Sequence, residues 1–272
     1  MVDDVHHQAL LAVHGLVKHY PGAKALDGVD LEVRAGEVHC LLGQNGAGKS
    51  TLIKVLAGAH QPDAGEITWQ GRAVSLSHPQ AAMSLGIATI YQELDLVPGL
   101  TVADNVFLGR EHAKLGLMRP AAAHRETTRL LERLGHQEIR PGAEVATLSA
   151  AGQQMVSIAR ALSQDARLII MDEPSAVLDN EEVARLFGVI RDLRADGVAV
   201  LYISHRLEEI REIGDRTTIL KDGRTVATGL SARDTPTREV ITLMTGRDIE
   251  YVFSERREAP SHDVAPLLEV SG

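Results

Sequence analysis

Residues 43–50, GQNGAGKS, form a glycine-rich run that ends in a cation and a hydroxyl. A largely apolar stretch precedes the run and an amphipathic stretch follows it, which predicts a strand, a turn and a helix. Glycines allow left-handed backbone angles at which successive N–H groups point at one anion, and the helix start adds its positive dipole end. The run is therefore typical of a loop that binds nucleotide phosphates. The residues expected to contact the nucleotide are Gly43, Asn45, Gly46, Ala47, Gly48, Lys49, Ser50 and Thr51.

The second chemical feature is an acid pair, Asp172 and Glu173, that follows the apolar residues 168–171. An uninterrupted apolar strand is typical of a sheet strand buried on both faces. Two carboxylates at its end are costly unless a positive charge lies beside them, and Mg²⁺ bound to the nucleotide supplies that charge. We therefore expect Asp172 to hold the metal and Glu173 to polarise an attacking water. In the glycine-rich run, we expect Lys49 to reach the β- and γ-phosphates and Ser50 to reach Mg²⁺.

Two polar residues follow other apolar runs. Gln92 comes after a predicted strand at 87–91, and His205 comes after one at 198–203. Carboxyl ends of parallel strands face one crevice, so Gln92 can orient a water or bind Mg²⁺ and His205 can contact the γ-phosphate. Taken alone, each residue is better interpreted as an ordinary polar loop residue.

An aromatic residue and a serine each allow two interpretations. Tyr20 lies in a predicted turn before the glycine-rich run, where it either packs on the surface, the interpretation favoured by the residue alone, or stacks on an adenine. Residues 148–154, LSAAGQQ, precede a helical pattern. Ser149 is then an ordinary N-cap or, because the small residues leave N–H groups bare, part of a second anion site.

The elements that must position these residues predict an α/β body with an inserted helical lobe at 95–147. In the lobe, His112, His124 and His136 lack other ligands at metal-binding spacing, so we expect surface histidines. Helices are predicted after Ser50, after a capping box at 101–104 and after residue 152, and at 125–134, 181–193 and about 237–244. Strands are predicted at 10–17, 25–33, 38–42, 66–69, 87–91, 168–172, 198–203, 217–220 and 224–227.

Composition limits the class of protein. The 272 residues are 44% apolar, enough for one large domain or two small ones, while aromatics make up 3% and the net charge is −9. A negative chain with few rings argues against a broad nucleic-acid surface. Cys40 is the only cysteine, which excludes an internal disulfide. The acidic start is unlike a secretory signal and no apolar run has membrane-spanning length, so we expect a cytoplasmic chain with any membrane role through a partner.

Taken in this order, these motifs resemble the ATP-binding subunit of an ABC transporter over about residues 10–245. The resemblance implies a P-loop NTPase fold with a RecA-like core, an antiparallel β subdomain and a helical subdomain inserted at about 94–150, all within an ATPase domain at 1–244. It also implies that Tyr20 stacks on adenine, that Gln92 and His205 are the Q-loop and switch residues, and that Asp179 belongs to the D-loop.

Residues 148–152, LSAAG, stand where this family carries its LSGGQ signature. The resemblance implies that Ser149 and Ala151 contact the ATP of a partner half, so that hydrolysis needs two halves. Ala151 replaces the glycine whose amide faces the γ-phosphate, and the amide itself is retained.

The amino-acid sequences of the motifs are most similar to those of bacterial monosaccharide importers of the ribose, galactose, arabinose and xylose type. In these importers one polypeptide carries two ATPase halves. This resemblance implies ATP hydrolysis that powers sugar import at the inner face of the cell membrane. The implied partners are a second ATPase half or a second copy, membrane permease subunits and, indirectly, a periplasmic sugar-binding protein, but no nucleic acid. Because residues 267–272 repeat the pattern of 10–15, we expect 245–272 to be a linker and the truncated start of a second half.

The sequence disfavours two other functions. A soluble ABC ATPase in DNA repair is disfavoured because the sequence has no long coiled-coil insertion with heptad repeats. A soluble ABC ATPase in translation is disfavoured because the tail at 250–272 is not strongly basic. A small-molecule P-loop kinase leaves residues 148–154 and His205 unexplained.

Overall fold

The computed structural model describes residues 9–246 apart from 112, 115 and 116. Its strands are β1 (Ala9–Tyr20), β2 (Ala23–Arg34), β3 (Val38–Gly43), β4 (Ala64–Trp69), β5 (Arg72–Ala73), β6 (Ile87–Ile90), β7 (Ala113–Lys114), β8 (Leu117–Met118), β9 (Leu168–Asp172), β10 (Ala199–Ile203), β11 (Arg216–Lys221) and β12 (Arg224–Ser231). Its α-helices are α1 (Lys49–Leu56), α2 (Pro79–Ser84), α3 (Val102–Val106), α4 (Pro120–Arg133), α5 (Ala150–Leu162), α6 (Asn180–Ala195), α7 (Leu207–Ile213) and α8 (Thr237–Thr245), and a 3₁₀ turn spans Val145–Thr147.

The centre of the molecule is a sheet of short apolar strands in the order β12-β11-β3-β10-β9-β6. The pairs from β11 to β6 are parallel, and β12 pairs antiparallel at one edge. Strands β3 and β10 are buried along their whole length, as expected for parallel strands covered on both faces. Because parallel strands end at the same edge, Gly43, Asp172 and Ile203 lie at one side of the sheet.

A second, antiparallel sheet has the order β2-β1-β4-β5. Along β2, Leu31 and Val33 are buried and alternate with the more exposed Glu32 and Arg34, the pattern of a sheet with one covered face. This sheet shares a hydrophobic core with α1 and with one face of the central sheet, which contributes Leu41, Ile170 and Leu201. The arrangement positions α1 between the two sheets.

The opposite face of the central sheet packs against helices. Cys40, Met171 and Tyr202 point into this second core, which also contains side chains of α5 and α6. Burial raises the pKa of the Cys40 thiol, which suits its expected role as a small buried hydrophobe. Between β6 and β9 the chain forms α3, α4, the 3₁₀ turn and α5, with the two-stranded pair β7–β8 among them.

The structure confirms the α/β class and every predicted strand, with bounds that differ by a few residues. Five short strands and α-helices, β5, β7, β8, α2 and α7, were not predicted, and α4 begins at Pro120 rather than at 125. The expectation of surface histidines was wrong for His136, which is buried with its Nδ1 at 2.8 Å from Glu138 Oε1. His124 is exposed, and His112 lies outside the described residues, as do the expected linker and repeat beyond residue 246.

Helix length and hydropathy bear on membrane crossing. In residues 9–246, leaving out 112, 115 and 116, none of the helices is long and apolar enough to cross a membrane.

Removing the ring of Phe187 should destabilise the fold strongly. This side chain of α6 is buried, and its ring meets that of Tyr202 on β10 edge to face, with the centroids 6.3 Å apart. We expect Phe187→Ala to lower the free energy of unfolding by ~3–5 kcal/mol, because it leaves a cavity between helix and sheet. Val226→Ala, at a side chain with 41% exposure, should change it by less than ~0.5 kcal/mol. Urea unfolding followed by circular dichroism measures both, and equal losses would contradict this account of the core.

Candidate nucleotide-binding site

The glycine-rich loop connects the end of β3 to the first turn of α1. Gly46 and Gly48 have φ angles of 82° and 103°, in the left-handed region that glycine adopts without strain. A Cβ at Gly48 would lie 2.6 Å from the carbonyl oxygen of Ala25, so a larger residue does not fit there. Since α1 begins at Lys49, its first N–H groups have no acceptor within the helix and remain available to an anion.

A hairpin turn supports the loop from behind. The turn between β11 and β12 contains Gly223, whose N–H donates to the carbonyl of Ala47 at 3.1 Å. The Gly223 carbonyl in turn accepts from the N–H of Asp27 on β2 at 2.7 Å. Sequence reasoning identified this turn as part of a hairpin but not as a neighbour of the loop, because the contact joins segments about 170 residues apart. The loop is thus held by both sheets.

The loop and the acid pair line one cleft of about 490 Å³. The cleft is bounded by the loop and α1 on one side and by the carboxyl ends of β6 and β9 on the other. The sequence-predicted residues that it brings together are Asn45, Gly46, Gly48, Lys49, Ser50, Thr51, Gln92, Asp172 and Glu173, and the remaining lining residues are Ala23, Lys24 and Ala25.

Lys49 lies folded along the loop. Its Nζ donates to the carbonyl oxygens of Gly43 at 2.7 Å and Gln44 at 3.0 Å. Burial lowers the pKa of the Lys49 ammonium, while the nearby carboxylates of Glu173 and Asp172 act in the opposite direction. The ammonium is therefore poorly solvated and held by neutral carbonyl groups, an arrangement that favours exchange of these contacts for an anionic ligand.

The acid pair carries an unfavourable charge. Burial, and then the neighbouring Glu173, raise the pKa of Asp172, and Lys49 only partly offsets them. Glu173 has a φ of 48°, a left-handed angle that is uncommon for a residue other than glycine, and its N–H donates to the Ile203 carbonyl at 3.0 Å. These observations describe carboxylates arranged for a positive partner.

The donors in the cleft suit Mg²⁺. Asp172, Ser50 and Gln92 all line it, and they offer carboxylate, hydroxyl and amide oxygens, the ligand type that this ion prefers. In the part of the chain that the structure describes, no group of three or more His, Cys, Asp or Glu side chains could hold a metal by itself. This set fits an ion that is bound partly by protein oxygens and partly by phosphates.

His205 lies beside the acid pair. Its Nδ1 is 3.2 Å from Glu173 Oε1, and it follows β10, the strand between β3 and β9. Thus the structure joins His205 to the cleft through Glu173, as its position at the end of a strand predicted. Asp179 lies six residues after Glu173 and caps α6, where its carboxylate accepts from the Glu182 N–H at 2.8 Å.

Six predicted residues do not line the cleft: Gly43 and Ala47 of the loop, His205 beside Glu173, and the more distant Tyr20, Ser149 and Ala151. The ring of Tyr20 meets that of His60 edge to face at 5.8 Å between centroids, three residues before the cleft-lining Ala23. Ser149 caps α5 and its Oγ accepts from the Gly152 N–H at 3.2 Å, while Ala151 in the first turn is 8% exposed. The predicted contacts of Ser149 and Ala151 are with the nucleotide of another half, and they stay predictions, as does adenine stacking by Tyr20.

A glycine-rich loop between a parallel strand and a helix, facing an acid pair at the end of a nearby strand, defines the class of P-loop nucleotide-binding proteins. A family model described as ABC transporter matches residues 26–176, more than half of the chain. The chain therefore belongs to the ABC transporter family.

Similar proteins are ATP-binding proteins of sugar importers. The chain is 51% identical over 263 residues to the ribose import ATP-binding protein RbsA 1 of Rubrobacter xylanophilus, covering 97% of this chain and 52% of that protein. It is 47% identical over 265 residues to a putative ribose/galactose/methyl galactoside import ATP-binding protein of Burkholderia lata, covering 97% and 51%. The chain thus spans about half the length of the curated relatives it matches.

Solved structures agree with the fold. An ATP-binding cassette of an ABC transporter in its ADP conformation superposes with a TM-score of 0.76 at 26% identity, covering 89% of this chain and 100% of that chain. A nucleotide-free cassette gives 0.74 at 26% identity, covering 91% and 100%. The expected P-loop ATPase cassette fold is confirmed.

Replacing Asp172 by asparagine should stabilise the nucleotide-free chain in a pH-dependent way. Because the pKa of Asp172 is raised in the folded chain, its contribution to stability is fully present below about pH 3.8, its ordinary pKa, and is lost as the pH rises through the raised value. Asp172→Asn has no carboxylate to ionise and so does not lose stability in this way. We expect the free energy of unfolding of Asp172→Asn, measured in urea, to exceed that of the wild type least at the lowest pH. The difference should grow as the pH rises and then level off.

The exposed Asp192 on α6 provides the control for this experiment. Asp192→Asn removes the same charge far from the cleft and should change the free energy of unfolding by no more than ~0.5 kcal/mol at each pH. A wild type that is as stable as Asp172→Asn at neutral pH would show that the acid pair is not under electrostatic strain.

Proposed function

We propose that this chain binds Mg-ATP and hydrolyses it as an energy-coupling ATPase subunit of a monosaccharide importer. The single observation that carries the proposal is the cleft in which the glycine-rich loop, Lys49 and the acid pair meet. A half-buried cation and two half-buried carboxylates face one cleft, which suits a ligand that carries both signs of charge, and a metal-bound triphosphate is such a ligand.

Binding uses the loop and the residues around it. The N–H groups of the loop and of the first turn of α1 donate to the phosphates, and Lys49 exchanges its carbonyl contacts for the β- and γ-phosphates. Ser50, Gln92 and Asp172 would hold Mg²⁺, which would supply positive charge to the same phosphates. At the other end of the nucleotide, Tyr20 offers its ring to the adenine, since β1 ends close to the cleft-lining residues 23–25.

Hydrolysis uses Glu173 and His205. Glu173 accepts a proton from the attacking water, because Asp172, the other member of the pair, would hold the metal. His205 lies 3.2 Å from Glu173 and therefore orients this carboxylate while it contacts the γ-phosphate. Gln92, at the end of β6, helps to position the water from the opposite wall of the cleft.

A complete site takes two ATPase halves. The N-terminus of α5, with Ser149 and Ala151, lies outside the chain's own cleft and presents amides without helical acceptors, which suits contact with the nucleotide of a partner half. The partner is a second half in the same polypeptide, or a second copy of this chain when it acts alone. The length of the relatives, about twice the matched segment, supports the first arrangement.

The transported substrate and the remaining partners are proposed from the relatives. The names of the two relatives described above specify import of ribose and of ribose, galactose or methyl galactoside. We assign to this chain membrane permease subunits, an indirect link to a periplasmic sugar-binding protein and a peripheral location on the inner face of the cell membrane. The ATPase domain is proposed to span residues 1–244, with the inserted helical subdomain at about 94–150 passing closure of the site to the permease.

Nucleotide binding should depend on Lys49. Lys49→Ala removes the only lysine that the structure holds within the loop, and we expect affinity for Mg-ATP to fall by ~10-fold or more, because charge-assisted contacts to phosphate are lost. Lys54→Ala is the matched control, since it removes an exposed lysine from the same helix and should leave affinity within about twofold. Isothermal titration calorimetry measures both. Wild-type protein that takes up no Mg-ATP would end the proposal.

Turnover should depend on Glu173. In the complete ATPase polypeptide assembled with its permease in vesicles, Glu173→Gln keeps the shape of the side chain but cannot accept a proton. We expect Mg-ATP binding to be retained while ATP hydrolysis and uptake of labelled ribose or galactose fall by ~100-fold or more.

Two results would contradict the proposed hydrolysis by Glu173 or the proposed role in sugar import. Substantial hydrolysis by Glu173→Gln would remove this residue as the general base. Recovery of the wild-type polypeptide with ribosomes or with DNA, rather than with membranes, would favour a soluble ABC ATPase of translation or DNA repair.

A further inference from the structure

A buried carboxylate lies just behind the cleft. Glu209, on α7, is 6% exposed and its Oε2 accepts three hydroxyl hydrogen bonds. The donors are Ser175 Oγ at 2.9 Å, Tyr202 Oη at 2.8 Å and Ser204 Oγ at 2.8 Å. Three hydroxyl groups from two separate segments of the chain, one at Ser175 and one at 202–204, therefore converge on one oxygen atom.

The charge of this carboxylate is compensated locally. Its Oε1 accepts from the Arg206 guanidinium at 3.2 Å. Burial raises the pKa of the Tyr202 phenol, to which the Glu209 carboxylate adds, so Tyr202 donates as a neutral hydroxyl. One cation and three hydroxyl donors satisfy a buried anion that would otherwise be costly.

Two partners of Glu209, Ser175 and Ser204, belong to the two loops that carry the proposed catalytic groups. Ser175 comes two residues after Glu173, and Ser204 comes one residue before His205. Glu173 and His205 contact each other at 3.2 Å on the cleft side. The two loops are thus joined twice, once at the cleft through Glu173 and His205 and once behind it through Glu209.

A second hydrogen bond fixes the histidine loop to the same cluster. Ser204 Oγ, while donating to Glu209, accepts from the Arg206 N–H at 3.0 Å. The backbone on both sides of His205 is therefore tied to one side chain. The other loop begins with Glu173 at its left-handed φ of 48°, a conformation that persists only where neighbouring contacts fix it.

We propose that Glu209 is a positioning residue for ATP hydrolysis, whose carboxylate holds the Glu173 loop and the His205 loop in register. The proposal rests on the proposed function, since it concerns the same reaction. Stability alone does not call for this group, because buried ionic clusters are often replaced by apolar residues without loss of stability. Displacing a proton acceptor by about 1 Å costs up to ~100-fold in rate, which gives such an anchor a direct effect on turnover.

Glu209→Gln tests this role. Glutamine has the same volume, but its Nε2 donates where the carboxylate accepts, so the convergence of three hydroxyls on a charged oxygen is lost. The substitution is made in the complete ATPase polypeptide assembled with its permease, and kcat, KM and Mg-ATP affinity are measured. We expect kcat to fall by ~10-fold or more toward the level of Glu173→Gln, with Mg-ATP affinity within about twofold of the wild type.

Glu37→Gln is the matched control. Glu37 is also buried, at 7% exposure, and also accepts hydrogen bonds from several elements, namely the Arg34 N–H, His39 and Arg216. It precedes β3 and so lies at the amino-terminal edge of the sheet, opposite the cleft. This variant loses a comparable buried anion, and we expect its kcat and affinity to stay within about twofold of the wild type.

Ser175→Ala decides the question if Glu209→Gln fails to fold. It removes one hydroxyl and so cuts the link to the Glu173 loop alone; we expect a lower kcat, by at least ~3-fold, with unchanged affinity. Unchanged kcat in Glu209→Gln, or in Ser175→Ala where it is needed, overturns the inference, as does a parallel loss of kcat and affinity that Glu37→Gln shares. A wild-type transporter that hydrolyses no ATP refutes the proposed function instead.

Discussion

The balance of charge among Lys49, Asp172 and Glu173 is the constraint on which this molecule depends. The lysine follows β3 and the acids end β9, and only β10 separates these two strands. Burial lowers the pKa of Lys49 and raises that of Asp172, so neither charge is fully compensated by the other. A ligand that brings phosphate to the lysine and a cation to the acids relieves both costs at once. The uncompensated charges thus destabilise the nucleotide-free site, and relief of this cost favours binding of such a ligand.

Holding such charges requires rigid surroundings. Apolar strands β3, β9 and β10 are buried on both faces, and they fix where each charged residue leaves the sheet. The hairpin turn at Gly223 supports the phosphate loop, and Glu209 anchors the segments behind the acids. Local strain at Glu173 and unfavourable charge at Asp172 are tolerated because the rest of the sheet determines their positions. The fold is thus destabilised at the carboxyl edge of the central sheet, which is the edge where the function is proposed.

Sequence reasoning found nine of the twelve residues that line the cleft, and most of the strands. The glycine-rich run and the acid pair follow apolar stretches, and such local patterns survive folding because backbone angles and strand burial are set nearby. It missed α2, α7, β5, β7 and β8, which are short and carry weak periodicity. It also missed the burial of His136 and the role of Gly223, since both depend on contacts with distant segments or on packing that a pattern does not reveal.

By itself the sequence determined the class of ligand, because the loop, the lysine and the acids are defined by residue type and short spacing. It also determined the α/β class, since runs of apolar residues specify buried strands. Only the tertiary structure decided which residues act together. Parallel strand order brings Lys49 near residues 172 and 173, more than 120 positions away, and collects Ser175, Ser204 and Tyr202 around Glu209. The physical reason is that hydrogen bonds and charge balance depend on distances in space, which the sheet fixes and the order of residues along the chain does not.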